Sequence, residues 1–219
     1  MLSKLQRHLA NIYRADTGYD VADFLITDRS LATALGAGSL LANTEETVLL
    51  SQDEDELELS VFLDKQLLSR VDRFDPLKNL QAEQLDDLWR VLEGISHFNY
   101  IAWSATRDKS VTLLELEMQA EVDKFVSTWL LALSQDSCDF AHQLHSWLFE
   151  KVSFNPDLTE DQLQRYRMAN DFAARFCHGL KRRMQRNHRA GMRELRRFYR
   201  LSQSEKISHI RSQAYARSH

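Results

Sequence analysis

The chain has 219 residues, of which 43% are hydrophobic and 27% charged, with 6 Gly and 2 Pro. That composition suits one domain, or one domain with a helical extension, and excludes collagen-like, low-complexity and many-turned β architectures. The formal charge of −4 conceals a two-ended molecule: residues 160–219 hold 15 of the 28 Lys and Arg against 5 of the 32 Asp and Glu, which leaves about +10 there and about −14 on residues 1–159.

No apolar run approaches the roughly 18 residues that span a membrane. The N-terminus, Met1 to His8, leads into an amphipathic pattern without the apolar centre and cleavage site of a signal peptide. Cys138 and Cys177 are solitary, with no CxxC and no Cys/His pair at zinc spacing. Reduced thiols, no membrane insertion and a cytoplasmic location are the expectation.

In chain order, residues 3–14 fit a short helix with Leu5, Leu9, Ile12 and Tyr13 on one side, ended by Asp16-Thr17-Gly18. Residues 20–26 read as either strand or helix. Residues 29–35 fit a further helix closed by Gly36 and Gly38. Residues 47–52 and 57–63 read as a β-hairpin, because Leu57, Leu59, Val61 and Leu63 alternate, with an acidic turn at Asp53 to Glu56. From residue 64 the apolar period becomes 3.6. Helices are predicted at about 64–72, 81–106, 110–135, 137–152, 159–187, 189–200 and 203–214. Thr159 with Gln162 makes a capping box, and Ser202 with Glu205 is a second candidate. The predicted fold is mainly α: an antiparallel helical bundle with a small N-terminal α+β segment containing one β-hairpin (about 47–63). Segments 1–75, 76–158 and 159–219 are expected to pack as one domain.

Helix 81–106 presents an apolar stripe (Leu85, Leu88, Leu92, Ile95, Trp103) with Asn99 near its centre. In helix 110–135, Glu115 sits inside the stripe of Val111, Leu114, Met118, Val122, Phe125 and Trp129, while Gln119 and Asp123 follow along its border. A short connection makes the two helices antiparallel. A buried carboxylate must be answered, so Asn99, a tryptophan N–H or a C-terminal arginine is expected to satisfy Glu115. Asn99, Glu115, Gln119 and Asp123 thus form a buried polar network or a ligand pocket. Glu93 with His97, and Glu117 with Glu121, have the i, i+4 spacing of helical metal ligands. They share wheel arcs with Asp86, Arg90 and Ser104, and with Ser110, Lys124 and Thr128, and so read as solvent-facing strips. No metal or cofactor is expected. His142 and His145, one turn apart, read as surface or half-buried residues. Phosphate-cradling and nucleophile motifs are absent. Arg183/His188 and Arg90/His97 have the spacing used by helical ribonucleases, at a frequency chance supplies.

In 159–187, Ala169, Phe172, Ala173, Phe176, Leu180 and Met184 form an apolar face, opposite Arg167, Arg175, His178, Arg182 and Arg186. Arg189, Arg193, Arg196, Arg197 and Arg200 continue the charge around anchors Met192, Leu195, Phe198 and Tyr199. Guanidinium forks bind carboxylate or phosphate bidentately. The arginines pair with the acidic hairpin tip and Asp86/Asp87, dock an acidic protein, or follow a nucleic-acid backbone. The sequence favours a non-catalytic, adaptor-like interaction protein with an acidic protein partner, and a homo-oligomer is compatible with it. A nucleic-acid-binding accessory protein is the alternative. A helical-bundle enzyme or small-ligand protein built around Glu115 is the second.

Overall fold

A computed structural model describes residues 1–36, 44–53, 56–135 and 138–215. The centre of the expected hairpin turn (residues 54 and 55) and the expected cap at Gly38 lie outside the described residues.

Helix α1 (Leu2–Tyr13) buries Leu2, Leu5, Leu9, Ile12 and Tyr13, and ends at Arg14 in the left-handed region (φ 51°). Asp20 accepts from the Ala22 amide and opens a 3-10 turn, Val21–Phe24. The chain then forms strand β1 (Leu25–Ile26), too short for alternation to reveal. Asp28 caps α2 (Arg29–Leu35), accepting from the amides of Ser30 and Leu31. The hairpin is present as β2 (Glu46–Asp53) and β3 (Glu56–Leu63), antiparallel with Val48 opposite Val61. β1 adds to β3 in parallel, so the sheet order is β1-β3-β2 and β2 is an edge.

The helices follow: α3 (Lys65–Phe74), α4 (Leu85–Ala105), α5 (Leu113–Ser134), α6 (Cys138–Phe149), α7 (Glu160–Arg186), α8 (His188–Arg200) and α9 (Gln203–Tyr215). Residues 82–84 form a 3-10 turn, and Thr112 caps α5 by accepting from the Glu115 amide, so both central helices start later than their periodicity implied. The Thr159–Gln162 capping box is complete. At α9, Glu205 accepts from the amide and hydroxyl of Ser202.

α4 and α5 are antiparallel, held by Trp89 Nε1 to Thr128 Oγ1 (3.1 Å) and Ser96 Oγ to Asp123 (2.6 Å). α5 is flanked by α4 on one side and α7 on another, while α4 also lies on the sheet. A Cβ at Gly94 would stand 3.2 Å from both Val61 and Glu46, so the missing side chain lets α4 approach β2 and β3 closely. α8 returns over α7 and α1, stacking Phe198 on Phe176 (3.7 Å between centroids) and Tyr199 on Tyr13 (4.2 Å). Each such ring contributes about 1.5–3 kcal/mol by leaving water. One apolar cluster runs from Leu2 to Ile210. Among the described residues, no helix is long and apolar enough to cross a membrane.

Being covered on two sides overturns one expectation. Lys124, Thr128 and Ser104, read as solvent companions, are buried, and so are His97 and Glu117. A wheel drawn for one apolar face cannot represent a helix packed on two.

Candidate functional site

Glu115, Gln119 and Asp123 lie at i, i+4 and i+8 of α5, all buried. Asp123 accepts from the Tyr13 hydroxyl, from Ser96 (2.6 Å) and from Gln119 Nε2 (2.7 Å). The Tyr100 hydroxyl donates to Glu115 and accepts from Lys109 Nζ and Lys206 Nζ, both at 2.9 Å. Lys109 also bonds Glu115 directly at 2.7 Å, and Lys206 donates to Gln119 Oε1 at 2.9 Å. Asn99 stands apart from Glu115, accepting from Gln6 Nε2 at 3.0 Å. The expected partners of Glu115 are therefore corrected: Tyr100, Lys109 and Lys206 answer it instead. Burial pushes Asp123 up to about 6 against its three donors, and burial lowers Lys206 to about 7 against the pull of Glu115. Lys206 was not singled out in the sequence, although it shares the buried face of α9 with Ile210 at i+4. Two acids meet two lysines, and the network fastens α1, α4, α5 and α9 together.

A second cluster gathers the residues read as solvent strips. His97 Nδ1 lies 3.7 Å from Glu46 Oε1 of β2, and His97 Nε2 lies 3.7 Å from Glu117 Oε2 of α5. Lys124 bonds Glu93 at 2.9 Å and Glu121 at 2.6 Å, and Arg165 Nε of α7 is 3.9 Å from Glu117. Burial alone would lower the His97 pKa, but Glu46, Glu117 and Glu93 carry it up to about 9. Burial raises Glu117 to about 7 and also raises Glu46 and Glu121. Burial acts the same way on Glu93, where the Lys124 charge outweighs it and lowers the carboxyl. His97 Nε2, Glu46 Oε1 and Glu121 Oε2 are buried without a hydrogen-bond partner. This set joins β2, α4, α5 and α7, which spacing within single helices could not reveal.

The predicted arginines divide into two groups. Arg196 Nε donates to the Ile12 carbonyl (2.9 Å) and Arg200 to those of Tyr13 and Arg14 (3.3 Å each), so both close the C-terminal end of α1. Arg175 pairs with Asp171 one turn away. Arg167, Arg182, Arg186, Arg189, Arg193 and Arg197 are exposed, with no ion pair to any described residue. Asp87 is taken by Arg70 (2.7 Å) and Arg90 (3.9 Å), which corrects the expected pairing of that acid with the C-terminal arginines. Any pairing with the side chains of Asp53 or Asp55 lies outside the described residues. Arg182, Arg183 and Arg186 line a notch of about 390 Å³ with Gly179 and Asn187. His142 is exposed, while half-buried His145 bonds the Ala174 carbonyl through Nε2 at 3.0 Å. Cys177 is a free, buried thiol whose pKa burial raises.

Compared with protein families, with characterised proteins and with solved structures, the chain finds no match.

Proposed function

We propose that the chain is a non-catalytic, cytoplasmic interaction module that docks an acidic protein partner on the arginine surface of α7 and α8. The observation that carries this reading is the group of exposed guanidiniums at Arg167, Arg182, Arg186, Arg189, Arg193 and Arg197 without an acid among the described residues. Several acids that could have answered them are engaged elsewhere, Asp87 by Arg70, Asp171 by Arg175, and Glu194 by Arg183 and His209, while exposed Asp86 makes no ion pair with them. Each exposed ion pair with a partner contributes at most about 1 kcal/mol, so recognition rests on several forks acting together and weakens with salt. The acidic residues 1–159 of a second copy offer the same chemistry, which sedimentation of the native chain reports.

The test is titration of a fluorescent polyglutamate peptide, and separately of a generic DNA duplex, at low and high salt. The native chain should bind the peptide in a salt-sensitive manner. The variant R182E/R186E/R189E/R193E should keep its circular dichroism and lose that binding. Unchanged binding by the variant overturns the proposal, and a preference for the duplex transfers the surface to nucleic acid.

A further inference from the structure

The side chains around His97 suit a chemistry unrelated to that surface. We propose that Glu93, His97 and Glu117 bind a first-row divalent transition-metal ion, with Glu46 orienting the imidazole. One donor atom from each of the three residues lies within 4.8 Å of the other two. His97, 9% exposed, points Nε2 toward Glu117 with no hydrogen bond to satisfy it. The 3.7 Å between Nε2 and Glu117 Oε2 is too long for a hydrogen bond. Two ligands bound at about 2.1 Å to one tetrahedral ion stand about 3.4 Å apart, so His97 and Glu117 need a shift of a few tenths of an ångström, and the Glu93 side chain, within 4.8 Å of both, swings in by up to about 1.4 Å.

The opposite ring nitrogen faces the Glu46 carboxylate at 3.7 Å, so a similar small shift would let the ring donate to it, the arrangement in which an acid behind a histidine fixes its tautomer and raises its ligand strength. Gly94 makes this contact feasible, since a side chain there would meet the Glu46 Cγ at 3.2 Å. Lys124 engages one oxygen of Glu93 and one of Glu121, while Arg165 stands beyond Glu117 Oε1, so Glu93 and Glu117 each keep a second oxygen. An imidazole donor favours zinc, cobalt or iron over calcium or magnesium. Glu93, with 21% of its side chain exposed, forms the rim through which a hydrated ion enters.

The experiment titrates the chelator-treated full chain with zinc chloride by calorimetry and with cobalt chloride by visible absorption. The expected result is one ion per chain and a rise in Tm with zinc. His97→Gln and Glu117→Gln should weaken zinc at least about 100-fold, and Glu46→Gln about 10–100-fold. His142→Gln, at an exposed histidine outside the cluster, should change nothing. If the buried variants fail to fold, Glu93→Gln at the exposed rim must show the loss in their place. A native chain that takes up neither ion, or folded variants that bind zinc as tightly as the native chain, overturns the assignment.

Discussion

Gly191 sits where α8 folds back over α7, and its replacement by alanine gives a sharp test of that crossing. A Cβ there would lie 2.1 Å from Met184 Cγ, 3.0 Å from its Cα and 3.1 Å from its Cβ. Carbon atoms in contact prefer about 3.5–4.0 Å. Turning the Met184 side chain relieves the first overlap. The other two involve atoms fixed by the α7 backbone, so the helices must separate by several tenths of an ångström. Overpacking of this kind costs about 1–3 kcal/mol, while alanine in a helix gains about 1 kcal/mol over glycine. Because backbone is involved, the cost falls in the upper part of its range and Gly191→Ala should lose about 1–2 kcal/mol. That corresponds to a Tm lower by roughly 2–8 °C for a domain of this size. Removing Cγ with Met184→Ala in the same chain should not restore stability, because both backbone-fixed contacts persist. Urea denaturation followed by circular dichroism measures each variant. A Gly191→Ala protein as stable as the native chain would refute the close crossing.

Burial holds Lys206 near 7, below the 10.5 of an ordinary lysine, so between those values the unfolded chain binds more protons and this residue adds stability as pH rises. His97, raised from 6.5 to about 9, works in the opposite sense, its contribution complete below 6.5 and lost on rising through 9. The difference between the native chain and Lys206→Met isolates the lysine. From pH 7 to 9 it should move in favour of the native chain by up to about 1.4 kcal/mol per pH unit, and a constant difference in urea melts excludes the argument. Tyr13→Phe removes one of three donors to buried Asp123 and should cost about 1–3 kcal/mol in the same assay; a loss within measurement error would mean the hydroxyl is not needed there. Arg196→Ala with Arg200→Ala should destabilise the fold by about 1–2 kcal/mol through the open end of α1, yet leave polyglutamate binding intact. Equal loss of stability and binding would contradict the division of the arginines into two groups.

Periodicity carried the helices and the hairpin, because each has enough residues for its period to repeat. It left β1 undecided, since Leu25 and Ile26 pair with Val61 and Phe62 across a long stretch of chain. It also placed Glu115 inside the apolar stripe and Gln119 and Asp123 along its border, and all three are buried. The identity of their partners was not legible. Tyr13 reaches Asp123 from α1, and Lys206 reaches Gln119 from α9, by tertiary contacts that no local spacing encodes. The error at Glu93, His97 and Glu117 has the same root. One residue pattern describes a solvated strip and a second buried face equally well when polar groups fill both.

α4 and α5, each covered on two sides, bury ionisable groups as well as apolar ones. Each such group must then be neutralised inside the protein, because an unpaired buried charge costs several kcal/mol. Around Glu115 and Asp123 the chain meets that requirement with Tyr13, Ser96, Tyr100, Lys109 and Lys206, and every polar atom quoted has a partner. Around His97 it meets it only in part. Lys124 serves Glu93 and Glu121, but His97 Nε2, Glu46 Oε1 and Arg165 Nε remain without hydrogen bonds. Two polar clusters lie on the same pair of helices, and one is complete while the other leaves buried polar atoms without partners. That contrast, within a single core, places the expectation of a bound cation at His97 and not at Glu115.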